Sequence, residues 1–444
     1  MQPKTEADFR QLLIDSYLAA VAAADPLKIV ASFLPSYEDL TKYSKTTVVG
    51  AGKAAASMAM AVENYWPQGN ALDGVVITRY GHALPCKNIR VIQAGHPVPD
   101  EAGEVAAQEI FDRVANADQD ELVIVLISGG GSSLLSLPAD DIPMSDLKAL
   151  TQMLLASGAP IQDMNVVRKH LSRIQGGRLA QASRAKIITL VISDVVGDDL
   201  SAIASGPTVA DPSTYADAWA ILQKYKVQPP ESIRLRLERG VQGLESETPK
   251  PGDACFSKCE SYLIATAMAS LGSAAQVFKN AEFDTLVLGD DIEGEASEVG
   301  QEFAKRLPIY QAQRVTGKPL AVISGGECTV TLKPRAFGTA KARGGRCSEF
   351  LLGFVQALQD ATLNAFTGTV FGLAADTDGI DGSESNAGAL MTSTTMTRAA
   401  AAALSAADHL AANDAYGYFA ALDDLVTIGP TLTNVNDYRV ILLT

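Results

Sequence analysis

Two short stretches of this chain read almost alike: Leu122 to Ser133 is LVIVLISGGGSS, and Leu320 to Glu327 is LAVISGGE. Each is an apolar run of strand length that stops at Ile-Ser-Gly-Gly. Every position of the run is apolar, as it must be for a strand whose sheet is covered on both faces. Glycines directly after such a strand let backbone come close to a ligand, and free N–H groups there can hold an anion. Two copies, far apart in one chain, predict two α/β units that each offer a ligand loop. That is the outline of an enzyme working in a cleft.

A chain of 444 residues has room for two or three domains, and 47% apolar against 20% charged residues can bury an ordinary core. No apolar run reaches the roughly 18 residues of a membrane span. The N-terminus, MQPKTEADFRQLL, is polar and then helix-like, without an apolar signal segment, so a cytoplasmic protein is expected. Five scattered cysteines argue against a disulfide framework. Cys255 and Cys259 have no second pair nearby, which argues against zinc. With four histidines in all, a His-based metal site or a relay of several histidines is not expected. The net charge of −15 disfavours nucleic acid, which wants a basic face. An acidic surface with local Lys and Arg at glycine loops suits small anionic substrates. The composition leaves an oligomer open.

Along the chain, Glu6 to Ala24 has helical spacing. Lys45–Val49, Asp73–Thr78, Ile89–Ala94, Leu122–Ile127 and Ile187–Ser193 read as strands, with helical stretches between several of them. Strands alternating with helices predict a Rossmann-like, doubly wound, mostly parallel sheet over residues 45–235. From Val227 to Cys259 the texture changes, with Pro229, Pro230, Pro249 and Pro251 among charges and glycines, and a domain boundary is placed there. A second α/β domain over 236–444 follows, with strands at Ser261–Ile264, Thr285–Leu288, Leu320–Ser324, Val370–Ala374 and Tyr438–Leu443. The leading helix, residues 6–24, could pack on it.

The strand exits carry the chemistry. Gly50-Ala51-Gly52-Lys53-Ala54-Ala55 matches G-x-G-x-x-A on pattern. Against a nicotinamide cofactor, the second strand ends at Thr78-Arg79 rather than at an acid for the ribose. Lys53 lies inside the turn, where a cation meets phosphate or a developing negative charge. Ser128-Gly129-Gly130-Gly131-Ser132-Ser133 is the stronger anion loop, combining backbone N–H groups with a helix dipole. Asp194, with Asp198 and Asp199 after it, follows the next buried strand and faces the cleft side; Mg²⁺ is the natural partner beside a phosphate loop. In the second half, Ser324-Gly325-Gly326-Glu327 is followed by Arg343-Gly344-Gly345-Arg346, which brings a guanidinium to an anion. Asp376, Asp378 and Asp381 cluster at another strand end. The Asn-rich stretch Gly429 to Asp437 either lines the same cleft or is an ordinary turn cluster.

Taken together, the stretches VVGAGKAA, GHPVPDEAG, LISGGGSSLL, MNVVRKHLSRIQGGRLA, SDVVGDDLSAIASGPTVAD, ISGGECTVTL, RGGRCSEF, AADTDGIDG and GPTLTNVND resemble, in order, the class II glycerate 2-kinase family. Its C-terminal part is the MOFRL domain, here about residues 319–440, and members have also been named hydroxypyruvate reductases. The resemblance implies two α/β domains with the active site between them, and an ATP- and Mg²⁺-dependent kinase acting on the 2-hydroxyl of D-glycerate. An NAD(P)H-dependent hydroxypyruvate reductase is the alternative, with His82 and His96 as its nearest histidines. The family's proposed catalytic lysine falls on Lys53 and its catalytic arginine on Arg343 or Arg346. Asp194, with Asp198 or Asp376, would hold Mg²⁺ or orient the hydroxyl. Gly50, Gly52, residues 128–133 and Gly325 to Glu327 would bind substrate and nucleotide. Two departures stand out: Cys347-Ser348-Glu349 where the family has Asn-Gln-Glu, and Asp378-Gly379-Ile380-Asp381-Gly382 where it often has Asp-Gly-Pro-Thr-Asp. The first puts substrate identity in doubt more than phosphoryl transfer.

Overall fold

The computed structural model describes residues 5–314, 317–332, 342–359 and 368–444. Parts of the expected MOFRL stretch, 333–341 and 360–367, therefore lie outside the described residues. The chain divides into two units, Pro26–Ile264 and a second one formed by Met1–Asp25 with Ala265–Thr444.

The first unit holds β1 (Thr46–Ala51), β2 (Leu72–Arg79), β3 (Ile89–Ala94), β4 (Leu122–Ile127), β5 (Lys186–Ile192) and β6 (Cys259–Ala265). The sheet order is β3-β2-β1-β4-β5-β6, and the pairs from β3 through β5 are parallel. All five strands read from the sequence of this half are present. In β4 every residue is buried, and Val123, Val125 and Ile127 pack on Ala106, Ala107 and Ile110 of the Glu101–Ala115 helix. Alternate residues of one strand thus serve opposite faces. The order reverses between β1 and β4, so the exits of these two neighbours flank the switch point where open α/β sheets bind ligands.

The proposed domain boundary at 235/236 falls inside the Glu231–Val241 helix. Pro229 and Pro230 do not mark a linker; Pro230 caps that helix, a position where a missing N–H costs nothing. Ile233 and Leu237 of the helix join Leu150, Leu154, Val167 and Tyr215 in a helical cluster built from segments inserted after β4 and β5. Glu247 then accepts from Tyr215 N–H at 2.9 Å, and Thr248 donates to Asp211 at 3.0 Å. The stretch expected to join two domains is stitched to the first unit. Ser261–Ile264, expected in the second domain, is part of β6 at the edge of the first sheet.

The second unit contains β7 (Asp284–Val287), β8 (Gly294–Glu295), β9 (Leu320–Ser324), β10 (Cys328–Thr329), β11 (Val370–Asp376), β12 (Gly388–Met391), β13 (Leu425–Val426) and β14 (Asp437–Leu443). Its larger sheet is ordered β13-β12-β11-β14-β9-β7. Among the described residues of this sheet only β7 and β9 pair in parallel; β14 runs antiparallel to both β9 and β11. An all-apolar strand says that both faces are covered, not which way its neighbours run, so the sequence could not show this. Val440 and Leu442 face the Glu6–Ala23 and Ala267–Asn280 helices, while Ile441 and Leu443 face the Arg346–Leu358 helix. Leu13, Tyr17 and Ala20 of the leading helix are fully buried there, and Tyr17 donates to the Asp376 carbonyl at 2.7 Å.

Leu13→Ala should lower stability by about 2–5 kcal/mol, the cost of an unfilled core cavity. The check is the shift of the urea unfolding midpoint; a shift near zero would remove the leading helix from this core.

Candidate active site

The exits of β1 and β4 are fastened to each other. Lys53 N–H donates to Gly129 O at 2.8 Å, Ser128 N–H to Ala51 O at 3.2 Å, and Ala54 N–H to the Ser128 hydroxyl at 3.0 Å. The glycines of the first loop make this approach possible. A Cβ on Gly50 would lie 2.1 Å from Leu126 O, and one on Gly52, at φ +141°, would lie 2.1 Å from the Ser128 hydroxyl. Gly50 and Gly52 thus serve loop packing, and neither lines the cavity described next.

That cavity, of about 370 Å³, opens beside the second loop and lies wholly within the first unit. Gly130 to Ser133 line it, together with His96, Asp194, Lys148, Arg168 and apolar side chains of two inserted helices, Met144–Ala156 and Ile161–His170. Gly130 has φ +81°, and a Cβ there would reach the His96 imidazole at 2.8 Å. Gly131 presses on Ala204, where a Cβ would come within 2.6 Å. Two of the three glycines therefore have packing reasons, and the expected helix dipole comes from a single turn, Gly131–Leu134. The N–H groups of Gly130 and Ser132 remain as cavity donors, since neither bonds another protein group among the described residues.

The hydroxyls around the loop are linked. Ser132 and Ser205 lie 3.0 Å apart, and Ser205 reaches the Asn165 side-chain oxygen at 3.4 Å. Ala204 and Ser205 hold φ of 50° and 58°, a strained left-handed conformation that alanine rarely adopts and that recurs at functional sites. Asp194 lines the cavity, but Asp198 does not, and Asp199 caps its own turn by accepting from Ser201 N–H at 2.8 Å. Among the described residues no group of three or more His, Cys, Asp or Glu is arranged to hold a metal ion. A cation here would rest on Asp194 and on oxygens brought by a ligand, which is how Mg²⁺ is commonly held. His82 is buried, and His96 is the histidine of the cavity.

In the second unit the twin loop behaves differently. Gly326, at φ +110°, sits against Ile292 O, where a Cβ would come within 2.2 Å, and Gly325 N–H donates to Gly289 O at 2.8 Å. Gly326 is committed to packing, and the Gly325 N–H is committed to Gly289. Arg346 donates to Glu327 at 2.6 Å, Asp376 at 2.8 Å and Asp437 at 2.6 Å. Asp437 in turn takes Arg439 at 2.6 Å, and Arg439 is almost fully buried. The carboxylates raise the Arg346 pKa above the ordinary arginine value despite the opposing effect of its burial. Asp376, read as a metal ligand, has this protein cation as its partner. Arg343 is exposed, with its guanidinium 4.4 Å from the Tyr416 ring centre and 3.5 Å from Glu384. Of the two arginines, Arg346 is held by three carboxylates, whereas Arg343 is exposed and carries the single carboxylate of Glu384. The Asn-rich stretch is tied down as well: Thr431 N–H donates to Asp378 O at 3.0 Å, and the segment ends by supplying Asp437 to the cluster.

Arg168 and Asn165 lie within the stretch MNVVRKHLSRIQGGRLA, whose pattern assigns neither a role. Their signal was faint, because a helix of mixed polarity next to a cavity looks like any solvent-facing helix.

Asp381 caps the helix that starts at Arg346. It accepts from Cys347 N–H at 2.9 Å, from Ser348 N–H at 2.8 Å and from the Ser348 hydroxyl. Gly345 is required there, since a Cβ would meet the carboxylate at 2.3 Å. Burial still pushes the Asp381 carboxyl up to about 6 from an ordinary 3.8. Folding therefore favours its protonated form. That contribution to stability is fully present below about pH 3.8 and is lost as pH rises through about 6. Asp381→Asn should remove it, so wild type should lose stability relative to the variant between about pH 4 and pH 7. Denaturation midpoints of both proteins across that window check this, and a constant difference contradicts it.

Residues 12–238 match the family described as "Domain of unknown function (DUF4147)", and residues 320–437 match the MOFRL family. A protein of Agrobacterium vitis, provisionally named a hydroxypyruvate reductase, is 47% identical over 439 residues, covering 98% of this chain and 94% of its own. A protein of Pyrococcus horikoshii named glycerate 2-kinase is 36% identical, with 98% of each chain covered. The crystal structure of a glycerate kinase from Thermotoga maritima is similar at a TM-score of 0.84 and 33% identity, covering 99% of this chain and 100% of that one. No helix among the described residues is long and apolar enough to cross a membrane. With both family matches in chain order and relatives of this identity along nearly its whole length, the chain belongs to the DUF4147 and MOFRL family that includes the glycerate 2-kinases.

Proposed function

We propose that this chain is a kinase that transfers the γ-phosphoryl group of ATP to the 2-hydroxyl of D-glycerate, with Mg²⁺. The observation that carries the reading is the cavity beside the exit of β4, lined by Gly130 and Ser132, whose N–H groups bond no other protein group among the described residues. Such donors suit phosphate oxygens. Names of relatives along the whole chain agree with it.

Phosphoryl transfer is mostly positioning and charge neutralisation. The glycerate hydroxyl oxygen attacks the γ-phosphorus, the bond to the β–γ bridging oxygen breaks, and ADP leaves. Lys53, half-buried in the turn after β1, supplies positive charge for the transferring group. Asp194 would hold Mg²⁺ together with phosphate oxygens, and the ion would neutralise charge on the phosphates. Asp194 is also the cavity carboxylate able to orient the substrate hydroxyl and take its proton.

The reductase name of the 47% relative favours a second reading. Against it, the glycines of the G-x-G-x-x-A loop are used up by packing on Leu126 and Ser128, and β2 ends at Arg79.

Purified protein should form ADP from ATP and D-glycerate in the presence of Mg²⁺, and EDTA should stop it. Lys53→Ala should cut kcat by about 100-fold or more, the usual cost of removing a group that stabilises transition-state charge. A coupled ADP assay reads both. Unchanged kcat in the variant removes Lys53 from the mechanism. Oxidation of NADH or NADPH with hydroxypyruvate, without ADP formation, replaces the kinase by the reductase.

A further inference from the structure

The cavity beside the glycine loop holds a cation whose guanidinium has no partner among the described residues. Arg168 lies in the last turn of the Ile161–His170 helix and lines the cavity. Among the described residues its guanidinium forms no hydrogen bond or ion pair. Burial pulls its pKa below the ordinary arginine value, and no carboxylate offsets the effect. The contrast with Arg346, which has three carboxylates, is direct. Desolvating a guanidinium without an anion costs free energy, which an incoming anion at the cavity wall would offset.

A second donor stands one turn away. Asn165 is buried and lines the same cavity. Its side-chain oxygen accepts from Ser205, whereas its amide nitrogen bonds no group among the described residues. Residues three apart on a helix share a face, so the two donors can grip one ligand group. The other charged or titratable side chains lining the cavity are His96, Lys148 and Asp194.

The identity of the anion follows from the rest of the wall. Leu147, Leu155, Ile161 and Met164 line it. A three-carbon hydroxy acid, polar at every carbon, gains little from such a wall, whereas a nucleotide base does. The volume of about 370 Å³ is also in the range of pockets that bury ligands much larger than glycerate, ~300–1,000 Å³. We propose that this cavity is the nucleotide site, and that Arg168 and Asn165 clamp the nucleotide's phosphate chain above the Gly130–Ser132 loop. The inference rests on the kinase reading and adds which ligand this loop serves and which side chains hold it. Guanidinium is suited to the role because its planar donors meet phosphate oxygens two at a time.

Titration calorimetry of wild type and Arg168→Ala with ADP and with adenosine tests it, alongside the KM of each substrate. ADP affinity should fall by about tenfold or more in the variant, as for loss of a charge-assisted pair. Adenosine affinity should hold, because it lacks phosphate. The KM for ATP should rise while that for glycerate stays within about threefold, and Arg168→Lys should fall between, since a point charge replaces only part of the fork. Asn165→Ala should weaken ADP in the same selective way, by less. Unchanged ADP binding, equal losses for ADP and adenosine, or a rise confined to the glycerate KM would each overturn the assignment. Wild type that binds no nucleotide and forms no ADP would instead overturn the kinase reading beneath it.

Discussion

The first unit depends on the join between the exits of β1 and β4. Lys53 N–H on Gly129 O and the Ser128 hydroxyl under Ala54 N–H hold two loops in one register at the place where the sheet order reverses. Each backbone group satisfied there is one not left bare in a buried position. The join sets the direction of both loops: it puts Lys53 in the turn on one side and the Gly130–Ser133 wall on the other. Gly50 and Gly52 permit it, because any side chain at either position would strike the neighbouring loop. The strain at Ala204 and Ser205 is held by packing around the same wall.

The second unit is organised by one cation rather than by backbone. Arg346 gathers carboxylates from beyond β9, from the end of β11 and from the start of β14, which brings three strand ends to one point. Asp437 is shared with buried Arg439, so the charges are paired before any ligand arrives. Truncating one partner of such a cluster leaves the others buried and uncompensated. The two Ile-Ser-Gly-Gly stretches thus do different work: the first leaves N–H groups open to a cavity, and the second folds back on the segment around Ile292.

Much of this was legible in the residues. The strand runs of the first half, the Rossmann-like order and a glycine loop at the exit of β4 follow from apolar runs ending in glycine. Asp194 in the cavity wall follows from its place after a buried strand. What stayed hidden has physical causes. The antiparallel run of β14 leaves no trace in an all-apolar strand. Pro229 and Pro230 look the same whether they begin a helix or a linker. Whether Arg343 or Arg346 is committed depends on carboxylates that are distant in sequence. Arg168 reads as one more helical arginine until the helix is seen beside the cavity with no partner for its guanidinium among the described residues.

The central claim is that the glycine loop after β4 and the cavity beside it receive the nucleotide. A crystal structure with a non-hydrolysable ATP analogue tests this most directly. The account predicts phosphate oxygens within hydrogen-bonding distance of the Gly130 and Ser132 N–H groups and the base against Leu147 and Met164. An analogue bound in the second unit, with this cavity left to glycerate, would contradict it.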